Sequence, residues 1–441
     1  MKKVHITSLG CPKNLVDSDV LGGQLKHNDF ILTSNPQDAE LIIVNTCGFI
    51  EEAKKESIQA IFEALDLKNE DKTKQVFVTG CLSQRYKKEL IAEIPEIDAL
   101  FGTEDYKGIL NRLGKNIVRP EQMYNMRNLT TPKHYAYLKI SEGCNHQCAF
   151  CAIPRIRGRH HSRKIEDILS EARMLAGKGV KELILVSQDT SYYGWDRYHK
   201  SMIIDLLSQL AAENLFKWIR PLYWYPSNFP KKFIHLMNEY ETIVPYLDMP
   251  IQHASDHVLT LMRRAEKKEK LIRLYQKIRG IRPDITLRTT LILGHPGESD
   301  SDFELLKEFI ESVRFDRLGA FVYSDEEGTS AYYLNHKVDK ETAQKRLEDL
   351  MKIQAQISSE KNKSLVDSVQ NVLIDGYDHN NKFYYGRTYR DSPEIDNEVI
   401  ISDAVYNREI PGFHKQVYIS DYSEHELYGR FDVNYNIDTG V

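Results

Sequence analysis

Short apolar, β-branched runs open the chain at roughly regular intervals, at residues 4–7, 41–44 and 76–79. Across residues 50–67 apolar side chains recur every three or four positions, the period of a helix with one buried face. Strands alternating with helices predict a parallel sheet covered by helices. A polar stretch, residues 114–133, contains Pro120 and Pro132 and reads as a linker. Beyond it the alternation resumes. Strands are expected at 135–140, 182–186, 218–223, 246–249, 286–293 and 318–323, with helices such as 165–175 and 269–278 between them. Roughly six β/α units predict a full or partial barrel whose chemistry gathers at the carboxyl ends of its strands. A long amphipathic helix over 340–363 leads out of this region. From Ser368 the pattern shortens to alternating strands with turns expected at Asp375-Gly376, Asn380-Asn381 and Pro411-Gly412, which reads as a small antiparallel β-barrel. The expected fold class is therefore α/β in three parts: a parallel-sheet domain at 1–115, a partial (β/α) barrel at 134–364 and the small antiparallel barrel at 365–441.

Size and composition agree with this division. A chain of 441 residues is too long for one compact unit. With 41% hydrophobic and 28% charged residues it has the composition of a globular protein in water. Lys2 and Lys3 are not followed by an apolar run, and no stretch approaches the roughly 18 apolar residues of a spanning helix. A cytoplasmic protein with no membrane partner is the expectation.

The 6 cysteines add the chemistry. So few in so long a chain make a poor disulfide framework, and cytosolic thiols stay reduced. Three of them, Cys144, Cys148 and Cys151, lie in one loop directly after an expected strand, in the spacing CxxxCxxC. A cubane iron–sulfur cluster has four corners, so three thiolates leave one iron open for reactive chemistry. A zinc site would close with a fourth ligand, for which His146 and His160 are the nearest candidates. Cys11, Cys47 and Cys81 each follow one of the three opening strands. In a parallel sheet those positions converge at one edge, where a second three-thiolate cluster could form. Taken singly, each could equally be a buried inert cysteine.

Other residues surround these triplets. Ser187-Gln-Asp-Thr190 follows the strand ending at Val186, where Ser187 could grip a cofactor or Thr190 could merely cap a helix. In Leu291-Ile-Leu-Gly294-His295-Pro296-Gly297-Glu298, Gly294 lets the backbone approach a ligand closely. Arg155, Arg157, Arg159 and Arg163 follow the cysteine loop and could pair with a cofactor or substrate carboxylate.

The CxxxCxxC motif resembles the signature of the radical S-adenosylmethionine enzymes. Over essentially the whole chain, the order of a cysteine-bearing α/β domain, a radical barrel and a terminal β-barrel is similar to the methylthiotransferases, whose terminal module is the TRAM domain. The resemblance implies two 4Fe-4S clusters and S-adenosylmethionine as cofactors. Cys144, Cys148 and Cys151 would hold the radical-generating cluster, and Cys11, Cys47 and Cys81 an auxiliary cluster that supplies the sulfur-bearing group. Ser187 and Gly294 would lie on the cofactor, and no catalytic residue is implied beyond the cluster ligands. The strings Ser8-Leu-Gly-Cys11-Pro-Lys-Asn-Leu-Val-Asp17, Asn45-Thr-Cys47-Gly-Phe-Ile50, Val186-Ser-Gln-Asp-Thr190, Asp248-Met-Pro-Ile-Gln-His-Ala-Ser255 and Gly386-Arg-Thr-Tyr-Arg-Asp-Ser392 resemble the branch that modifies a protein. That branch implies β-methylthiolation of one aspartate in ribosomal protein S-twelve, free or in the small ribosomal subunit, with an electron donor as second partner. His295 departs from the pattern, which has an aromatic or similar residue before the proline.

Charge separates the substrate classes. Residues 365–441 carry 14 Asp and Glu against 6 Lys and Arg, a net of −8, while the whole chain is −5. An RNA-binding module needs cations to displace counterions from phosphates, and this one would attract a basic partner instead. The alternative substrate is an adenosine of transfer RNA. A non-catalytic iron–sulfur carrier or sensor is a third class, disfavoured because carriers close their clusters with four ligands.

Overall fold

The computed structural model describes residues 1–402, 407 and 410–432. Strands β1 (Lys3–Ser8), β2 (Ile31–Leu32), β3 (Leu41–Thr46), β4 (Gln75–Gly80) and β5 (Ala99–Leu100) form one parallel sheet in the order β2-β1-β3-β4-β5. β3 is buried along its whole length, as its unbroken apolar run requires in a sheet covered on both faces. Helices Pro12–His27 and Glu51–Glu70 flank the sheet. In register, Ser8 pairs with Asn45 and Asn45 with Thr79, so three strands end level with one another.

The central region opens with β6 (Tyr135–Lys139) and a small antiparallel pair, β7 (Ser141–Glu142) with β8 (His161–Ser162), that brackets the cysteine loop. β9 (Glu182–Val186) and β10 (Trp218–Pro221) follow, and the three larger strands pair in parallel in the order β10-β9-β6. β11 (Tyr246–Asp248), β12 (Thr286–Leu293) and β13 (Arg317–Val322) form a second parallel triplet. A parallel bridge between Ile219 and Ile243 joins the two sets into a six-stranded partial barrel. Helix Lys340–Lys363 leads to the last module.

That module is a closed barrel of β14 (Val369–Asp378), β15 (Phe383–Arg387), β16 (Glu398–Ile401), β17 (His414–Tyr422) and β18 (Glu426–Phe431), in the order β14-β15-β16-β18-β17. Four of its pairings are antiparallel, but β16 and β18 close it in parallel. The chain turns at Asn380-Asn381 and Pro411-Gly412 as expected. It does not turn at Asp375-Gly376. β14 runs through these residues with a bulge between Ile374 and Gly376, which relieves the register without reversing the strand. Residues 433–441 of the expected 365–441 module lie outside the described residues.

The stretch 114–133 also differs from its reading as a linker. It holds a 3-10 helix, Pro120–Met126, and then Arg127, which is 2% exposed. The Arg127 guanidinium bonds Asp19 at 2.9 Å, Glu171 at 2.5 Å and the carbonyl of Tyr137 at 2.8 Å. A buried cation between two carboxylates pins this segment between the first helix and the barrel. One apolar cluster then spans the parts. Val16, Val20 and Phe77 from the first pack with Tyr137, Val186 and Leu222 from the barrel, and with Leu373 from the last module.

Candidate active site between the two cysteine triplets

The level strand ends place Cys11, Cys47 and Cys81 along one sheet edge, each within a few residues of its strand. Gly10 adopts a φ of +85°, and a Cβ there would stand 2.8 Å from the Cys47 Sγ, so only glycine lets the first loop approach the second this closely. Ser57 Oγ holds the Cys47 backbone from both sides, accepting from its amide and donating to its carbonyl at 2.9 Å each. Asn14 ties the three loops together. Its Nδ2 donates to the carbonyls of Leu9 at 2.9 Å and Thr46 at 3.0 Å, and its Oδ1 lies 3.7 Å from the Cys81 Sγ. Arg157, from the loop after the second triplet, donates to the same Oδ1.

The second triplet sits at the mouth of the barrel. Cys144 Sγ accepts from the amide of His146 at 3.4 Å, and the guanidinium of Arg264 approaches Cys148 Sγ at 4.0 Å. The loop is fastened by bonds from the Ala149 amide to the carbonyl of Met262 and from the Ala331 amide to the carbonyl of Ala149. Cys81 packs in one small cluster with Ala152 and Ile156, so the two triplets face each other across the junction of sheet and barrel.

All six thiols are free. Burial pushes the Cys81 and Cys151 thiols up to about 12 and Cys144 to about 11, each with neighbouring thiols adding to the rise. Cys11 is shifted the other way. Burial opposes its ionisation too, but Lys13 and Arg157 outweigh it and hold the thiol below its ordinary value. Such crowded thiols ionise together only against a bound metal cation. The two histidines that could close a zinc site each have one ring nitrogen in use within the protein. His146 bonds Asp189 at 2.7 Å and stacks on Tyr225 at 3.8 Å, and His160 bonds Ser162 at 3.0 Å. The donor set thus fits a cubane with an open corner at each triplet.

Ser187 and Gly294 lie at strand ends as expected, with their polar groups in use. Ser187 Oγ pairs with Ser141 Oγ at 2.6 Å and accepts from the Asp189 amide at 3.1 Å. Gly294 donates its amide to Glu298 at 2.8 Å, and a Cβ there would stand 2.5 Å from the Cβ of Ala343 on the long helix. Two of the four arginines are likewise paired within the protein. Arg157 bonds Glu142 at 2.8 Å and Asp17 at 3.2 Å, and Arg163 bonds Glu171 at 2.6 Å. Asp17, Glu104 and Glu142 bring carboxylate oxygens within 4.8 Å of one another. The ammonium of Lys139 fills that space, bonding Asp17, Glu104 at 2.6 Å and Glu142 at 2.9 Å, so the acidic trio is a closed ion cluster. Asn14 and Lys139 gave no sign in the sequence beyond their nearness to a cysteine motif.

The chain is 46% identical over 421 residues to the ribosomal protein uS12 methylthiotransferase RimO of Acetivibrio thermocellus, covering 91% of this chain and 93% of that one. It belongs to the RimO family. The correspondingly named proteins of Bacteroides fragilis (46% identical, 97% of this chain and 99% of that one) and Clostridioides difficile (44%, 99% and 100%) agree. Residues 3–102 match the uncharacterized protein family UPF0004, 138–310 the radical SAM superfamily and 366–431 the TRAM domain. Among solved structures, the radical S-adenosylmethionine methyltransferase TsrM of Kitasatospora setae aligns with a TM-score of 0.53 at 12% identity, over 86% of this chain and 79% of that one. OxsB, a cobalamin-dependent S-adenosylmethionine radical enzyme, aligns at 0.51 and 13%, over 80% and 56%. These two speak for the fold alone. Membership makes the chain a methylthiotransferase of the radical class, which works with S-adenosylmethionine and 4Fe-4S clusters. Among the described residues, no helix is long and apolar enough to cross a membrane.

Proposed function

We propose that this enzyme adds a methylthio group to the β-carbon of one aspartate in ribosomal protein uS12, in the cytoplasm, drawing electrons from a separate donor. The observation that carries this reading is the small buried cluster of Cys81, Ala152 and Ile156, which sets the loops of two incomplete thiol triplets against each other in a chain of this family. In this reading residues 1–115 hold an auxiliary cluster through Cys11, Cys47 and Cys81. Residues 134–364 hold the radical-generating cluster through Cys144, Cys148 and Cys151, with Ser187 and Gly294 beside S-adenosylmethionine, and residues 365–441 form the TRAM module. When bound, these groups supply the reducing electron, the abstraction of a substrate hydrogen and the methylthio unit.

The chain's own residues do the positioning. Asn14 and Arg157 lock the auxiliary triplet to the loop of the radical triplet, fixing the path between sulfur source and radical. Ala152 and Ile156 give the contact between the two loops an apolar lining beside Cys81. The acidic tail has a partly internal explanation. Asp391 pairs with Arg317, Asp396 with Arg288 and Asp375 with Arg387, so these carboxylates face the protein itself. Asp378, Asp421 and Glu424 pair with no lysine or arginine among the described residues, and acid left over in this way suits a basic protein partner.

The test is mass spectrometry of uS12 from a strain lacking this chain. The methylthio mass on one aspartate disappears and returns on complementation. A mass that persists in the deletion strain removes the assignment, and loss of a modified adenosine from transfer RNA instead would establish the other substrate class.

A further inference from the structure

Lys13 is a buried cation with no carboxylate partner, its charge acting instead on the Cys11 thiol two residues away. Its residue is only 8% exposed, yet among the described residues no carboxylate lies within ion-pair distance of its Nζ. The ammonium donates to the carbonyl of Ser187 at 3.2 Å and stands 4.2 Å from the centre of the Tyr223 ring. Lys139, equally deep in the same junction, is surrounded by three carboxylates. Buried charges are ordinarily paired, because a carbonyl and a ring face replace only part of the lost hydration.

The setting of this lysine is also unusual. It lies two residues beyond Cys11 and reaches the main chain of Ser187 at the end of β9, so it bridges the sheet edge and the barrel mouth. Its partner Tyr223 adopts a φ of +61°, a left-handed conformation that a bulky aromatic rarely takes. Two bonds impose it. The Tyr223 amide donates to Asp248 at 3.0 Å, and its carbonyl accepts from the Thr190 amide at 3.0 Å. Backbone held against its preference at the carboxyl end of a barrel strand marks a functional position.

We propose that Lys13 receives the side-chain carboxylate of the substrate aspartate. This rests on the uS12 reading above. The carbon to be modified is bonded directly to the carboxylate carbon, so an ammonium that fixes the carboxylate also fixes the direction of the β-carbon's C–H bonds. Lys13 then selects a carboxylate side chain over its uncharged isostere, since rejecting the amide follows from leaving a buried cation unpaired.

The test uses the full-length protein reconstituted with its clusters. Binding of uS12 is compared with that of a uS12 variant whose modified aspartate, located by mass spectrometry, is replaced by asparagine. Wild-type protein prefers the aspartate form by about 30-fold, the scale of one buried charge pair. Lys13→Met abolishes the preference by weakening the aspartate form alone, and Lys13→Arg restores part of it. Lys13→Gln, which keeps a donor for Ser187 without the charge, gives the same answer should the methionine variant fail to fold. Affinity for S-adenosylmethionine and the reduction potentials of the clusters are measured in parallel. A preference that survives Lys13→Met overturns the proposal. So does a variant that loses S-adenosylmethionine affinity, or shifts a cluster potential, with the preference intact. Wild-type protein that leaves uS12 unmodified would remove the substrate reading and this inference together, whereas modification by wild type with an unchanged preference in the variants removes only the role of Lys13.

Discussion

Cys81 shares one small buried cluster with Ala152, the residue immediately after Cys151, so a ligand candidate of the first triplet packs beside the loop of the second. Each triplet nonetheless has its own anchors, Asn14 and Ser57 for one and the Met262 and Ala331 contacts for the other. Nearness without shared ligands predicts separable functions. Cys148→Ala is expected to abolish release of deoxyadenosine from S-adenosylmethionine, whereas Cys47→Ala retains it and loses methylthio transfer. Each variant, reconstituted under anaerobic conditions, should hold about four irons against about eight in the wild type. Equal loss of deoxyadenosine in both would show that the triplets do not divide the work.

The Asp19–Arg127–Glu171 ion triad predicts a large cost for a change in what the sequence presents as a connector. Arg127→Met leaves Asp19 without its cation inside the protein, and Asp19 is 1% exposed. Removing one partner of a buried pair destabilises by about 3–5 kcal/mol. Urea unfolding should register this loss, while Arg119→Met in the same stretch, outside the triad, should leave the midpoint unchanged.

Local pattern and long-range pairing explain what the sequence could reveal. β9, β12 and the helix Lys340–Lys363 begin and end where the apolar periodicity places them, because burial on one or both faces writes itself into successive residues. Convergence of Cys11, Cys47 and Cys81 was legible for a related reason, since parallel strands in level register must end at one edge. Arg127 was not legible. Its partners lie 108 and 44 residues away, and no local spacing announces an ion pair across such distances. The bulge at Asp375-Gly376 was misread because Asp-Gly is chemically as suited to a bulge as to a turn. The acidic excess of the tail was visible, but which of its carboxylates would turn inward to Arg317 and Arg288 depended on the docking of two folded parts.

His295, the departure from the expected pattern, is a core residue with a pH signature. It is fully buried, its Nδ1 lies 3.0 Å from the Pro296 carbonyl and its ring meets Tyr323 edge-on at 5.4 Å. Burial, with Lys337 adding to it, pushes the imidazole down to about 4 from an ordinary 6.5. As pH falls below 6.5 the unfolded chain takes up a proton that the folded one refuses until about pH 4, so stability declines through that window. His295→Phe keeps the ring contact and removes the titration. Urea midpoints measured from pH 7 to pH 4 should fall less steeply in the variant, by up to about 3 kcal/mol at the acid end. Parallel curves would refute the assignment.

Glu182 joins the barrel to the tail and predicts that acid parts them. It is fully buried at the start of β9, accepting from Arg220 at 2.7 Å and from Arg387 of the last module at 2.8 Å. Burial favours its neutral form, but the two guanidiniums outweigh this and hold the carboxyl below its ordinary 4.5. Asp375, which also pairs with Arg387, is lowered in the same way. With a folded value below the unfolded one, the stabilisation is complete above about pH 4.5 and is lost as pH falls through the folded value. Trp218 reports the event, because its ring packs edge-on against His414 of the tail at 4.5 Å. Its fluorescence, identified by difference from a Trp218→Phe variant, should change on acidification before the barrel unfolds. Glu182→Gln leaves Arg220 without a carboxylate and Arg387 with Asp375 alone, and should bring the changed signal to neutral pH, since the charge that joins the barrel to Arg387 is then absent at every pH. If the variant keeps the wild-type signal at pH 7, Glu182 does not hold the two parts together.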